Sequence, residues 1–294
     1  MAFTYSAGGI ASLVSTNLNV SYTMLSESLR RLSSGLRVQT AADDGAAMAM
    51  SQLMRADIAT FNQATRNAQD AVSLLQTAEA SLDEIDEQLQ SMKELAEQAA
   101  TGTYTDAQRL IMHSEFQLMA AEIDRLAATT SYNGIKLLDG SLSSSAVWSS
   151  AGGWTEPNGG LRVQVDNGNV RAEDYYYITI ADVSTTALFS TTDIAVSTQA
   201  AAAAALSVIN TAIIGKDNAR SWVGALQNRL EGTIDSLEAR VDALTASESN
   251  ITDADIATEM TNYLEALILA QAAIAMHAQA NLLPQLALKL LDVG

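Results

Sequence analysis

From Leu75 to Ala99 the apolar side chains fall at Leu75, Ala78, Leu82, Ile85, Leu89, Met92, Ala96 and Ala99, in alternating steps of three and four. That spacing winds a single apolar stripe along a helix and leaves it in need of a partner stripe. The pattern can run far, because only Pro157 and Pro284 interrupt the backbone donors of the whole chain. Two more segments carry the same stepping. Met112, Phe116, Met119, Ile123 and Leu126 form one stripe, and Leu230, Ile234, Leu237, Val241 and Leu244 form another. Antiparallel packing of the three would bury their seams in one another.

The stretch RLSSGLRVQTAADDGAAMAM, Arg31 to Met50, reads as a helix that stops at Ser33, Ser34 and Gly35 and a second that starts after Asp43 and Asp44. Before the stop, Val14, Leu18, Ser21, Leu25, Ser28 and Leu32 make a thin seam. At the other end of the chain Ile256, Met260, Tyr263, Leu267, Ala270 and Ile274 make another, with Asp253 and Asp255 opening that helix. Neither has a neighbour in sequence, so the two pair with each other. Charge agrees: residues 1–42 carry three Arg and one Glu, and residues 250–294 carry five acids and one Lys. Both helices are rich in small residues and would be marginal alone in water.

Between the helical flanks the chain changes character. Ser141–Gly160 is rich in Ser and Gly, LRVQVD (Leu161–Asp166) alternates, Asn167-Gly168 signals a hairpin turn, and YYYITI (Tyr175–Ile180) suits a return strand. Ala200–Ile214 returns to helix, with Gly215 marking its end. Thr101–Thr105 breaks the earlier helix, and Asp106 is placed to cap the next.

The expected architecture is mainly α: a long coiled-coil-like helical bundle with paired N- and C-terminal helices and a small inserted β-hairpin region. Its parts are an inner terminal domain from 1–42 and 250–294, an outer bundle from 43–139 and 199–249, and a short variable region at 140–198. Packing between the terminal helices is assigned to Leu18, Leu25, Leu32, Ile256, Met260, Tyr263, Leu267 and Ile274. Packing of the outer bundle is assigned to Leu75, Leu82, Ile85, Leu89, Met92, Phe116, Met119, Ile123, Leu230, Leu237 and Val241.

Several function classes fall away. A net charge of −18, from 34 acids and 16 bases, opposes binding to nucleic acid or to anionic lipid. Cysteine is absent, so there is neither a disulfide framework nor a thiolate metal site. The most apolar stretch, Tyr263–Leu283, is broken by Glu265, Gln271, His277, Gln279 and Asn281, so stable membrane insertion is not expected. The opening residues lack the basic and apolar regions of a cleaved signal peptide. His113 and His277 lack metal-ligand spacing, and acidic pairs such as Asp83/Glu84 read as solvated faces. No catalytic, cofactor or metal site is expected, and the chain does not read as an enzyme.

The blocks in their order are similar to those of bacterial flagellins. The resemblance rests on RRLSSGLRVQTAADDGAAMAMSQLMRADI, NAQDAVSLLQTAEASLDEIDEQLQSMKELAEQA and EIDRLAATTSYNGIKLLDG in the first half. In the second half it rests on VGALQNRLEGTIDSL, SNITDADIATEM and AIAMHAQANLLPQLALKLL. It implies a secreted structural subunit that self-assembles into the extracellular flagellar filament for swimming motility, with the terminal segments ordering on assembly. An export chaperone, a filament cap and hook-junction proteins are the partners it implies. It also implies a Toll-like receptor contact at Leu95 and Glu115, although Ser91 stands where the family carries an arginine, a fork of donors that serine cannot replace. Ser143, Ser144 and Ser145 lie in the segment that members of the family glycosylate. A hook–filament junction protein shares this terminal architecture and is the alternative; a secreted translocator that inserts its C-terminal helix into membranes is a second.

Overall fold

The computed structural model describes residues 2–143, 148–149, 153–154, 160–166, 168, 174–189 and 194–291, with side chains between Ser12 and Leu282 except at 148–149 and 153–154. Six helices appear among them: α1 (Ala2–Ser34), α2 (Gly45–Ala100), α3 (Asp106–Thr129), α4 (Thr185–Phe189), α5 (Gln199–Thr252) and α6 (Ile256–Leu291). Three two-stranded antiparallel sheets lie between α3 and α5: β1 (Ser131–Tyr132) with β2 (Ile135–Lys136), β3 (Trp148–Ser149) with β4 (Gly153–Trp154), and β5 (Leu161–Gln164) with β6 (Tyr175–Ile178). The fold is mainly α. Two compact units result, Met1–Ala56 with Ala243–Gly294, and Asp57–Asp242.

The Asp57–Asp242 unit is built on the seams. Leu75, Leu82, Ile85, Leu89 and Met92 on α2 are fully buried, with Phe116 and Ile123 of α3 beside them in one core. α5 contributes Ile209, Val223 and Leu230 to that core, and Met119 packs against it half-buried. Leu237 is buried and Val241 half-buried further along α5.

The break between α2 and α3 is closed by a buried guanidinium. Arg109 donates from Nε to the Ala99 carbonyl at 2.7 Å and from Nη2 to the Thr101 carbonyl at 3.0 Å. Those acceptors are at and just beyond the end of α2, where carbonyls lack intrahelical partners. The cap of α3 is Thr105 rather than Asp106: its Oγ1 accepts from the Gln108 amide, and the Gln108 side chain accepts from the Thr105 amide. This reciprocal pair satisfies two orphan donors and leaves Asp106 in the first turn, paired with Arg109 at 2.8 Å.

α5 does not end at Gly215. The helix runs on to Thr252, and Leu188 of α4 lies against Gly215, 3.5 Å from where a β-carbon would stand. The helical glycine costs about 1 kcal/mol of propensity, and a β-carbon in its place would meet Leu188 at an ordinary contact distance. One residue on, Lys216 is buried, with Nζ 2.5 Å from Asp86 and 2.8 Å from Asp217. Burial pushes its ammonium pKa down, but the bonds to Asp217 and Asp86 outweigh that and hold it above the ordinary lysine value.

Two Asn-Gly pairs behave differently. Asn133 (φ 50°) and Gly134 (φ 82°) form a two-residue turn that pairs Tyr132 with Ile135, the conformation that matches strand twist. The β5–β6 hairpin pairs Gln164 with Tyr175, and both Val165 and Asp166 donate to the Asp174 carbonyl, so the connection runs from Val165 to Asp174. A two-residue turn at Asn167-Gly168 therefore does not close it; Asn167 itself lies outside the described residues. α5 holds the hairpin from below. Trp222 Nε1 donates to the Thr179 carbonyl at 2.9 Å, and the Arg229 guanidinium sits 3.9 Å over the Tyr176 ring.

Candidate functional site: an assembly surface

In the Met1–Ala56 and Ala243–Gly294 unit, α1 and α6 run antiparallel with their backbones close together. The closeness has a simple cause. The buried positions of α1 are Ser21 and Ser28, and those of α6 are Glu259, Ala266, Ala270 and Ala280. Small side chains let helix axes approach, but they bury little apolar area. Ser21 needs no partner across the seam, since its hydroxyl donates to the Asn17 carbonyl of its own helix at 3.0 Å. Near the end of the pair, Arg31 faces Glu259 at 3.8 Å.

Leu18, Leu25 and Leu32 line this seam on α1, half-buried. On α6 the seam differs from the expected one. Tyr263 and Leu267 are half-buried beside the alanines, whereas Ile256, Met260 and Ile274 are between 44% and 49% exposed. The helices meet too closely for a stripe of large residues, so the small residues take the inside. Ile256, Met260 and Ile274 face out.

They do not face out alone. Thirteen large apolar side chains on α1 and α6, from Leu13 to Leu282, are 44% to 65% exposed. α6 carries large apolar side chains on more than the face that meets α1, between scattered polar residues such as Glu265 and Gln271, and apolar surface of that extent on a helix is a property of helices that end up covered.

Both helix breaks occur together. Gly35, at φ 72°, ends α1 in the left-handed conformation that glycine adopts without strain. The chain then forms a single antiparallel bridge, Leu36 with Asp253. Arg37 donates its amide to the Thr252 carbonyl at 2.6 Å, and Ala254 donates to the Gly35 carbonyl at 2.9 Å. Asp44 caps α2, its Oδ1 accepting from the Ala46 and Ala47 amides at 3.0 Å, and Asp255 caps α6 through the Ala257 amide. Asp43 does not cap. Its carboxylate accepts from the Thr40 amide and hydroxyl, from Arg30 and from the Gln39 amide, which hold its pKa well below the ordinary range. Asp253 likewise accepts from the Ser249 hydroxyl rather than capping α6. Beyond the bridge, Glu248 of α5 accepts from Ser51 and Arg55 of α2 and from Thr252. Burial raises this carboxyl; the bonds from Arg55, Thr252 and Ser51 outweigh burial and leave its pKa below the ordinary value.

The Gly35 break, the paired termini and the apolar-faced α6 occur in a chain whose two ends both match known sequence models. The model of the bacterial flagellin N-terminal helical region matches residues 7–143, and that of the C-terminal helical region matches residues 206–291. This chain is a bacterial flagellin. A flagellin of Halalkalibacterium halodurans is 38% identical over 94% of this chain and 94% of its own length. The Bacillus subtilis flagellin is 39% identical, covering 90% of this chain and 92% of its own. The flagellar filament 33 kDa core protein of Treponema phagedenis is 33% identical over 95% of this chain and 94% of its own length. A solved structure from Vibrio parahaemolyticus, described as a flagellar hook-associated protein, shares the fold at a TM-score of 0.55 and 18% identity, over 72% of this flagellin and all of that chain.

The remaining positions singled out in the sequence of this flagellin lie in the Asp57–Asp242 unit, apart from His277 on α6. Leu95 packs against the core half-buried, Ser91 is half-buried and Glu115 is exposed. Ser143 is exposed, while Ser144 and Ser145 lie outside the described residues. The Val196 amide donates to His113 Nδ1 at 3.4 Å, and His277 is hydrogen-bonded to Asn281. Among the described residues no group of acids and histidines is placed to hold a metal, and no helix is long and apolar enough to cross a membrane. Sequence reasoning passed over Arg109 and Lys216. The signal for Lys216 was available: it occupies a seam position of α5.

Proposed function

We propose that this flagellin is exported and polymerises through α1 and α6, whose outward apolar faces are covered by the same helices of neighbouring copies in the extracellular filament. Filament formation is the role of the family; the part played by these two helices is inferred from the thirteen large side chains left open on them. Each is about half exposed, and full burial of such a side chain contributes roughly 1.5–3 kcal/mol, so assembly gains on the order of 10 kcal/mol per subunit before the entropy of association is paid. An export chaperone that shields α6 before assembly, a cap at the growing tip and hook-junction proteins at the base fit the same surface. The chain acts as a building block and not as an enzyme. Receptor recognition through Leu95 and Glu115 is weak, because Ser91 lacks the forked donors of arginine; serines around Ser143 are where sugars would attach.

The test is seeded polymerisation. Monomer prepared by heat or acid and returned to neutral pH with seeds grows into long tubes. A chain lacking residues 1–30, which removes the Leu13, Val20, Tyr22, Met24 and Leu29 face, stays unpolymerised. Normal tubes from the shortened chain would refute the proposal.

A further inference from the structure

The seam between α2 and α5 does not determine its own register. On α2, residues one heptad apart are alike in polarity: Leu75, Leu82 and Leu89 in one row, and Ala78, Ile85 and Met92 in the other, are all apolar and fully buried. Sliding α5 by seven residues, about 10 Å along the axis, would set apolar against apolar again. The facing stripe of α5 runs Ile209, Ala212, Lys216, Ala219, Val223, and its third member carries a charge.

We propose that Lys216 is a register lock: its buried pairing with Asp86, set beside the pairing of Arg220 with Asp83, admits one alignment of α2 against α5 and rejects the heptad-shifted ones. The antiparallel ladder makes the rejection concrete. In the observed register Lys216 meets Asp86, and Arg220 meets Asp83 and, at 3.6 Å, Glu79. A slip one way carries Lys216 to position 93, which is Lys93, and carries Arg220 from Asp83 and Glu79 to Gln90 and Asp86, so Lys216 then faces a cation. A slip the other way brings Lys216 to Glu79 but leaves Arg220 against Gln76 and Val72. Asp217, on α5 itself, stays with Lys216 in every register, and only the observed alignment pairs both cations with acids of α2. A buried ion pair adds little net stability over an apolar pair of the same size, whereas a buried cation set against another is costly. Lys216 therefore contributes alignment rather than strength. The inference rests on the Asp57–Asp242 unit and is independent of how the terminal helices are covered.

The chain has no cysteine, so Glu94→Cys with Glu231→Cys gives two unique, exposed thiols for spin labels, one on each helix and well offset along the axis. The full-length monomer should show one separation by pulsed electron–electron resonance. Lys216→Met should stay helical and add a second population, displaced by about 10 Å and at least a tenth of the signal. Lys93→Glu leaves the observed pairs untouched and makes the first slip attractive, so it should also open a displaced population. Displacement in either variant supports the lock. A single undisplaced separation in Lys93→Glu, and in Lys216→Met wherever that variant remains helical, overturns it.

Discussion

Ile268 lies on α6 with 64% of its surface open, two residues from Ala270, which is buried in the α1 seam. Shortening Ile268 to alanine removes three carbons, about 2.4 kcal/mol if they were fully buried at ~0.8 kcal/mol each. About a third of that acts within the single chain. The rest, roughly 1.5 kcal/mol, is realised only when a neighbouring copy covers the face. Ile268→Ala should therefore raise the critical concentration for seeded polymerisation about tenfold, since ~1.4 kcal/mol corresponds to a factor of ten. Met260→Ala starts from 44% exposure and should shift it about fivefold. Gln271→Ala, a polar exposed position on the same helix, serves as the control and should leave it within about twofold. Sedimentation of polymer from free subunit across a concentration series gives each value. An Ile268→Ala filament whose critical concentration stays within twofold of the native one would refute the argument that this face is covered by other copies.

Three further outcomes follow from single contacts. Gly35→Val places a branched side chain at φ 72° and should cost at least about 1–2 kcal/mol, seen as faster hydrogen exchange at the Arg37 and Ala254 amides that hold the bridge. Arg109→Met leaves the Ala99 and Thr101 carbonyls without their donor and should destabilise the Asp57–Asp242 unit by about 2–4 kcal/mol in denaturant unfolding, while Thr105→Ala should cost about 1 kcal/mol. Glu248 has a folded pKa below its ordinary 4.5, so its contribution is present above that value and is lost as pH falls through the lowered folded one. Glu248→Gln should accordingly flatten the acid limb of the unfolding curve for the Met1–Ala56 and Ala243–Gly294 unit, measured by circular dichroism between neutral pH and pH of about 3.

The stripes of the Asp57–Asp242 unit were legible because each alternates large apolar residues with polar ones, so position alone separates inside from outside. Leu75 to Met92 needed nothing more. α6 was not legible in the same way. Apolar residues there fall on more than one face, and the pattern gives no means of distinguishing a stripe that meets α1 from one left open; preferring the larger side chains picked Ile256, Met260 and Ile274, while close approach favoured Ala266, Ala270 and Ala280. Turn chemistry misled at Asn167-Gly168 and was passed over at Asn133-Gly134, because the dipeptide is the same and only the strands around it decide whether two residues can close the hairpin. Gly215 resembled a helix end since a glycine at the close of an apolar run usually is one; here the helix runs on through it to Thr252. Caps fared better in kind than in position: acids and a threonine do open α2, α3 and α6, but the choice between Asp43 and Asp44, or Thr105 and Asp106, depends on a backbone turn that sequence does not show.

The serine and alanine lining between α1 and α6 has a mechanical corollary. A hydroxyl that bonds back to its own helix, as that of Ser21 does, and a row of methyl groups offer no directional grip on the opposite surface. The ion pair across the joint, Arg31 with Glu259, sits near its hinge end. The bridge between Leu36 and Asp253 pins the same end against axial sliding, and along the described length the half-buried Leu18, Leu25, Tyr263 and Leu267 hold the two rods by shape alone. A joint made this way is latched at one end and merely fitted along the rest.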